Sequence, residues 1–385
     1  MTGHVRRRGS RSWELKFDAG SDPATGKRRT RYVAFKGTKA EAQRELVRIV
    51  AAEQSGQAVD PTRATVADFM ERWQRDWMDA NVSPKTAERY RELIRLHVVS
   101  HIGALPIQKL RPVNLSELYA RLLREGRGAN SGLAARTVGH VHRVIHRALG
   151  HAAQWGVVQS NVATLVNPPR VSSAEIEILS ADAIRAILAE LRGRTLRPIV
   201  LMALGTGARR GELLALRWQD IDLDRAVARI ERSLEQTKAG LRFKEPKTRH
   251  GRRSIALPAY LAVELRAHWR AQQELNLALG AGKLAPDALV FPTFDGKARS
   301  PNALTKEWST ASRAVGVSAT FHALRHTHAS QLIASGLDVL TISRRLGHGS
   351  PTVTLGVYGH LFSNTDDRVK KALDAVFGEM RKPGY

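Results

Sequence analysis

Six side chains in the second half of the 385-residue chain have types that together could carry out phosphoryl transfer: Arg209, Lys247, His322, Arg325, His348 and Tyr358. Two guanidiniums can grip the nonbridging oxygens of a phosphate by bidentate hydrogen bonds. A lysine and histidines can move protons, and a tyrosine hydroxyl can attack and form a covalent intermediate. Arg209 lies in GTGARRGELLALRWQDID (205–222), where glycines precede Arg209 and Arg210 at a helix start and Glu212 is close enough to orient a guanidinium. A helix N-terminus adds to anion binding there. Lys247 sits in KEPKTRHGRRSIALP (244–258), a basic turn running into an apolar strand. His322 and Arg325 are three apart in FHALRHTHASQLI (321–333), which puts them on one side of a helix. His348 and Tyr358 share ISRRLGHGSPTVTLGVYGHL (342–361), with Tyr358 between glycines and two residues before His360.

Taken singly, each of these has a blander explanation. A tyrosine among apolar neighbours is ordinary core material. His322 and His326 are four apart, as in a zinc pair, but the interposed glutamate of the metalloprotease motif and a third ligand are missing. No metal and no cofactor are therefore expected. Jointly, the six residues make a coherent set that the bland explanations do not cover.

The elements that must carry them are mixed from about residue 176 onward. Helices are expected at 180–192, with Ser180 as N-cap, and at 195–205, 211–217, 259–276 and 301–315. Strands are expected near 226–233, 241–245 and 252–257, as a small antiparallel edge to a helical domain. Upstream, TVADFMERWQRDW opens a helical unit that closes at NPPR (167–170), with helices at 65–79, from Ser83-Pro84, at 114–125 and at 135–154. In the last of these, Val138, Val141, Ile145, Ala148 and Ala152 form an apolar stripe, and Arg136, His140, Arg143, Arg147 and His151 project roughly opposite. That helix contains no Asp or Glu, so intrahelical ion pairs do not account for its basic face, and a helix laid along a DNA backbone is expected.

At the N-terminus, WELKF and RRTRYVAF read as strands joined by a turn, and Thr38 with Glu41 forms a capping box for a following helix. Residues 1–39 hold eleven Lys or Arg against Glu14, Asp18 and Asp22, which points to a DNA-contacting β-ribbon with Arg6, Arg7, Arg8, Lys27, Arg28 and Arg29 as contacts. The whole chain has 61 Lys+Arg, 36 Asp+Glu and a net charge of +25, so nucleic acid is the first partner to consider. There is no cysteine, which excludes disulfides and thiol chemistry. No apolar run approaches a membrane span and MTGHVRRRGS lacks an apolar signal core, so a soluble intracellular protein without membrane partners is expected.

The spaced boxes resemble those of the tyrosine recombinases, the phage integrase family. TGARRGE is similar to the family's TG-x-R-x-x-E and makes Arg209, not Arg210, the match to its catalytic arginine. HALRHT supplies His322 and Arg325, LGH supplies His348, and TLGVYGH supplies Tyr358. For the hairpin lysine, Lys244 and Lys247 are neighbours, and the P-K-T context favours Lys247. The resemblance implies a multidomain, mainly α fold with small antiparallel sheets: an arm-type DNA-binding domain at 1–60, a helical SAM-like core-binding domain at 61–170, and an α+β catalytic domain at 171–385. It also implies site-specific cleavage and rejoining of double-stranded DNA at core and arm sites through a 3′-phosphotyrosyl link, integrating or excising a phage or mobile element.

Under that mechanism Arg209 and Arg325 hold the phosphate, His348 adds a hydrogen bond, His322 rather than His360 accepts the phenol proton, and Lys247 protonates the 5′-oxygen. The glycines flanking Tyr358 would let its segment swing. A tail helix bearing Val369, Leu373, Val376, Phe377 and Met380 would dock on a neighbour in a synaptic homotetramer, the free protein being monomeric. A directionality factor (excisionase) and a host DNA-bending protein are further implied partners, in the nucleoid of a bacterial cytoplasm. Two rivals were weighed. A helix-turn-helix regulator built on ASGLDVLTISRRLGHGSPTVT leaves Arg209, Lys247 and Tyr358 unexplained, and a type IB topoisomerase is disfavoured by the additional N-terminal module.

Overall fold

A computed structural model describes residues 3–21, 25–54, 59–126, 131–172, 176–246, 251–362 and 365–377. The chain divides into two compact units, Met1–Ser172 and Ser173–Tyr385.

The first unit opens on an antiparallel meander of β1 (Gly3–Arg7), β2 (Ser12–Ser21) and β3 (Arg28–Lys36). Register sets Leu15 opposite Val5 and Val33, and Trp13 opposite Phe35. Alternation along each strand therefore gathers these residues on one face. There Leu15 and Phe17 are buried against Ala42 and Leu46 of helix Lys39–Gln54. The helix starts at the expected capping box: Glu41 accepts the Thr38 N–H at 2.7 Å and the Thr38 hydroxyl accepts the Glu41 N–H at 3.3 Å. The other face of the sheet leaves His4, Arg6, Lys16 and Tyr32 exposed.

Beyond the sheet, helix Val66–Trp73 continues through a π turn, Gln74–Met78, into Asp79–Asn81, and Pro84–Leu93 continues likewise through Ile94–Val99. Pro112–Glu125 and Ala135–Gln154 complete the helices of this unit. The last spans the expected 135–154, and its stripe residues Val138, Val141, Ile145, Ala148 and Ala152 are all buried with Phe69, Trp73 and Leu122. Each such large apolar side chain gains about 1.5–3 kcal/mol by leaving water, which is what anchors a helix whose opposite face is charged.

In the second unit, helix Leu196–Thr206 is buried nearly all round, with Leu196, Ile199, Val200, Met202 and Ala203 enclosed by the core. Its neighbours include Ala259–Ala278, Pro301–Ala314 and Ala323–Ala334, and Ala181–Glu190, capped by Ser180 as expected, packs against Pro301–Ala314. The strands are β4 (Ile221–Asp222), β5 (Val227–Ile230), β6 (Ser233–Thr237), β7 (Gly240–Lys244) and β8 (Arg253–Ala256). They form a β4-β5-β8 sheet and a separate β6-β7 hairpin.

Two expectations are corrected here. The single strand foreseen at 226–233 breaks after Ile230, because β5 pairs with β8 while β6 turns away to pair with β7. The helix foreseen at 211–217 is only Arg210–Leu213. The chain leaves the helix there because the next residues pair with a distant segment: the Leu216 carbonyl accepts the Val290 N–H at 2.9 Å and Arg217 forms an antiparallel bridge with Leu289. The unit ends with helices Ala323–Ala334, Val339–Leu346, Pro351–Tyr358 and Thr365–Phe377.

Candidate active site

The centre of the site is a pair of arginines fixed from opposite directions. Arg209 precedes the helix Arg210–Leu213, and Glu212 accepts both its backbone N–H at 2.9 Å and its Nη1 at 2.8 Å. Its Nη2 donates to the carbonyl of Gly347 at 3.3 Å, which brings Arg209 beside the turn that carries His348. Adjacent Arg210 does something different, donating to the Pro301 carbonyl at 2.9 Å and to Thr305. The box spacing and the fold thus separate two arginines that composition alone treats alike.

Glu212 is the pivot. Its side chain is 5% exposed, and it also receives Nη2 of Arg253 at 2.8 Å. Burial opposes its ionisation, but Arg253 and then Arg209 hold its pKa below the usual glutamate range. Arg253, at the start of β8, also donates Nε to the Arg345 carbonyl at 2.7 Å. Arg253 has no role in the reading of the sequence. The signal for it is its place just ahead of the buried Ile255, where strand alternation sends both side chains inward.

Arg325 is buried on helix Ala323–Ala334, where its Nη1 donates to the Gly207 carbonyl at 2.7 Å and its Nη2 to Nε2 of His348 at 2.8 Å. Gly207 has φ 65°, and a Cβ there would lie 2.6 Å from the His328 ring. Glycine is therefore required both for the left-handed turn and for the close approach that presents its carbonyl. Burial and then Arg209 lower Arg325 to about 9, so it stays cationic at neutral pH.

The contacts of His348 define its proton. Guanidinium only donates, so Nε2 is the acceptor, and Nδ1 carries the hydrogen that goes to Thr354 Oγ1 at 2.8 Å. Burial, followed by Arg325 and Arg209, pushes His348 down to about 4. In the free protein it is thus a neutral acceptor. Donating to a phosphate from Nε2 requires a hydrogen there, which comes from a gained proton or from the other neutral tautomer with the Thr354 hydroxyl donating to Nδ1, and requires Arg325 to release that nitrogen.

Tyr358 is 1% exposed and packs with Ala329, Ile333, Ile342 and Leu346. It is a core aromatic and also a site residue, since burial of an aromatic does not exclude a directed hydroxyl. The imidazole at that hydroxyl is His326, whose Nδ1 lies 2.8 Å from it. The sequence paired the phenol with His322, and in the fold His326 stands in that position. The His322 and His326 rings are 4.7 Å apart and at 89°. His322 is exposed at its edge, yet partial burial, then His326 and Arg325, lower it to about 4. Burial also raises the Tyr358 phenol above its ordinary value, with Arg325 opposing.

Lys247 lies outside the described residues. Lys244, its neighbour in the sequence, ends β7 and forms an ion pair with Glu235 of β6. Met380 of the tail also lies outside them, while Val369, Leu373, Val376 and Phe377 are each about half exposed along helix Thr365–Phe377.

The residues expected to meet DNA fall into distinct settings. Arg136, His140, Arg143 and Arg147 are exposed on helix Ala135–Gln154, with Nη2 of Arg143 donating to His140 Nδ1 at 2.8 Å. The Arg147 guanidinium lies 5.8 Å over the Trp77 ring. His151 is tied inward as well: its Nδ1 accepts the indole N–H of Trp73 at 2.7 Å, while the half-buried residue still lines the groove that His140, Arg143 and Arg147 share. In the N-terminal sheet all six expected residues are exposed, but Arg8 pairs with Glu14 at 2.7 Å and Arg28 with Asp18 at 2.5 Å. Arg6 shares the open face with Lys16 and Tyr32, and Arg7 has the opposite parity along β1. Lys27 and Arg29 flank Arg28 at the start of β3.

Comparison with known proteins supplies the wider context. Residues 177–365 match the model of the phage integrase family, and residues 65–123 match the phage integrase N-terminal SAM-like domain. A "Tyrosine recombinase XerC-like" protein of Caldanaerobacter subterraneus subsp. tengcongensis is 27% identical over 359 residues, covering 88% of this chain and 90% of that one. An "Integrase" of Streptomyces ambofaciens is 30% identical over 355 residues, covering 90% and 88%. The fold is shared with the Tn1549 transposon integrase solved in complex with transposon right end DNA, at a TM-score of 0.65 and 21% identity over 81% of this chain and 99% of that one. Among the described residues no helix is long and apolar enough to cross a membrane, and no group of three or more His, Cys, Asp or Glu could hold a metal ion.

Proposed function

The chain belongs to the phage integrase family of tyrosine recombinases and is a site-specific DNA recombinase; from that premise we propose that Tyr358 is its nucleophile and that Arg209, Lys247, His322, Arg325 and His348 serve the same phosphate. The observation that carries the assignment is convergence. Boxes more than a hundred residues apart meet through Arg209 on the Gly347 carbonyl and Arg325 on the Gly207 carbonyl, and Arg325 also reaches His348, 23 residues on. Attack on a phosphodiester builds negative charge on its oxygens, and fixed cationic donors that need no reorganisation stabilise that charge. Arg209 and Arg325 hold the nonbridging oxygens, and His348 adds a donor once Nε2 carries a hydrogen. Lys247 protonates the leaving 5′-oxygen. The product is a 3′-phosphotyrosyl bond, which a second strand's 5′-hydroxyl reverses without an external energy source. The test is trapping a covalent protein–DNA adduct on a nicked site and mapping it to Tyr358.

The substrate we assign is double-stranded DNA. Residues 1–60 form an arm-binding module, 61–170 a core-binding module and 171–385 the catalytic module. Support comes from the exposed basic face of the N-terminal sheet and from the acid-free outer face of helix Ala135–Gln154. A directionality factor and a host DNA-bending protein complete the proposed partners, in the host nucleoid. The regulator reading loses ground because Val339–Leu346 is tied into the unit: Ile342 and Leu346 are buried, and Arg345 Nη2 donates to the Gly205 carbonyl at 2.8 Å.

Assembly into a tetramer is the proposed role of the tail. An amphipathic helix with a half-exposed apolar face gains by docking on a partner. A chain truncated after residue 363 should bind its DNA site with unchanged affinity and recombine at least about tenfold more slowly, the effect of losing roughly 1.4 kcal/mol of assembly free energy. Full recombination by the truncated chain would remove the tail from the mechanism.

The buried hydroxyl of Tyr358 must also become accessible to DNA, and Gly356 and Gly359 bear on that step. Neither has a positive φ, and a Cβ on either would meet nothing within 4 Å. Their absence of side chains is therefore not a packing requirement. Alanine at both should stiffen the segment and raise stability by about 0.5–1 kcal/mol per site, while slowing adduct formation. Thermal melts and single-turnover cleavage on one preparation give both numbers. Cleavage that speeds up with stability would argue against a swinging segment.

A further inference from the structure

We infer that His326, and not His322, is the group that takes the phenol proton from Tyr358 when it attacks the phosphate. This deepens the proposed function and rests on it. Nδ1 of His326 lies 2.8 Å from the Tyr358 hydroxyl, within the reach a general base needs, and the two rings meet edge to face with centroids 5.6 Å apart. In the free protein His326 is held one residue after Arg325 on helix Ala323–Ala334 and Tyr358 packs among Ala329, Ile333, Ile342 and Leu346, and the pair must keep this contact as the Tyr358 segment moves to the phosphate. His322, one helical turn earlier, has its ring against that of His326 and its edge toward solvent, the side from which DNA must arrive. The two histidines therefore divide the labour, with His322 toward the phosphate and His326 toward the nucleophile.

The charges around His326 suit a base. The groups facing it are His322 and Arg325 on its own helix, Tyr358 on Pro351–Tyr358, and Glu177, whose carboxylate accepts the Thr320 N–H at 3.1 Å. Burial, and then Arg325, lower its pKa below the ordinary histidine value, with Glu177 opposing. The imidazole is neutral at neutral pH, and Glu177 favours the imidazolium once it forms. In the step itself the Tyr358 oxygen bonds to phosphorus as its proton passes to Nδ1. The phosphorus–5′-oxygen bond breaks with its electron pair on that oxygen, and the oxygen is protonated by Lys247. Rejoining runs the same path backwards, with the imidazolium returning its proton to the departing phenolate.

The experiment compares single-turnover adduct formation on a nicked site across pH for the full-length protein and its His326→Gln and His322→Gln variants. Glutamine at 326 can still accept a hydrogen bond from the phenol but cannot take its proton. The unsubstituted protein should show a rate that falls as pH drops through the His326 pKa, below 6.5. His326→Gln should react about 100-fold more slowly or worse, lose that acid limb, and bind DNA as before. It should remain slow on DNA with sulfur at the bridging 5′ position, because a better leaving group does nothing for the phenol. His322→Gln should keep the acid limb. His326→Ala serves as a second variant, with added imidazole expected to restore part of its rate. An unchanged or faster rate in both 326 variants, or loss of the acid limb in His322→Gln alone, overturns the assignment to His326 and leaves the recombinase reading intact. An unsubstituted protein that forms no adduct overturns the nucleophile assignment itself.

Discussion

Tyr358→Phe protein, mixed with nicked attachment-site DNA, should form no covalent adduct and should still bind that DNA. The substitution removes one oxygen. The ring stays where it is, 1% exposed among Ala329, Ile333, Ile342 and Leu346, so the core keeps its packing. The lost hydrogen bond to His326 costs about 0.5–1.5 kcal/mol, too little to unfold a unit of this size. Against that small structural cost stands the loss of the oxygen proposed to bond to phosphorus. Removing a nucleophile from a comparable covalent site lowers turnover by roughly a millionfold, so the adduct should fall below detection. Denaturing gels on the two proteins, paired with a mobility-shift assay, read both halves of the prediction. Adducts formed by the Y358F protein would move the chemistry to another residue.

The second large effect is expected at Glu212, which touches neither the nucleophile nor the proposed phosphate position. It holds Arg209 at 2.8 Å and Arg253 at 2.8 Å, and with Arg253 it forms a pair whose side chains are 5% and 7% exposed. Taking one charge from a buried pair leaves the other uncompensated, at a cost of about 3–5 kcal/mol. For a unit of about 200 residues that is a fall in melting temperature of roughly 10 °C. Glu212→Gln keeps the shape and loses the charge, so it should show most of this fall. At a temperature where the variant is still folded, cleavage should drop by about 100-fold or more, because Arg209 no longer has both its backbone N–H and its guanidinium tied to one carboxylate. Normal stability with normal cleavage would mean that Arg209 is positioned by the Gly347 carbonyl alone.

These predictions share a physical theme. The free site holds its cations close together before any anion arrives, and it does so by keeping its histidines neutral. His322 and His348 are each lowered to about 4, first by burial and then by neighbouring charge. Arg209 and Arg325 are countered by a single buried carboxylate, Glu212. A phosphate entering such a site reverses the balance, since a nearby negative charge favours every protonated form.

Much of this was legible in the sequence because it rests on local rules. Helical periodicity placed Ala135–Gln154 at its observed ends and named its buried stripe. The capping box at Thr38 and Glu41 and the Ser180 cap were readable from residue type and spacing alone. The resemblance to the integrase boxes separated Arg209 from Arg210, and with the other spaced clusters it singled out Tyr358 against a prior that favours a core aromatic. What the sequence could not supply were contacts between segments distant along the chain, since a side chain's partner is fixed by packing and not by its neighbours in sequence. His322 and His326 sit one turn apart on one helix, and only the docking of Pro351–Tyr358 decides which of them meets the phenol. His151 carries the periodicity of an exposed basic face until Trp73 reaches across to it from 78 residues away. Arg253 is one of several basic residues in a turn until its strand carries it to Glu212. The residue types determined what chemistry was available, and the tertiary packing determined which of them touch.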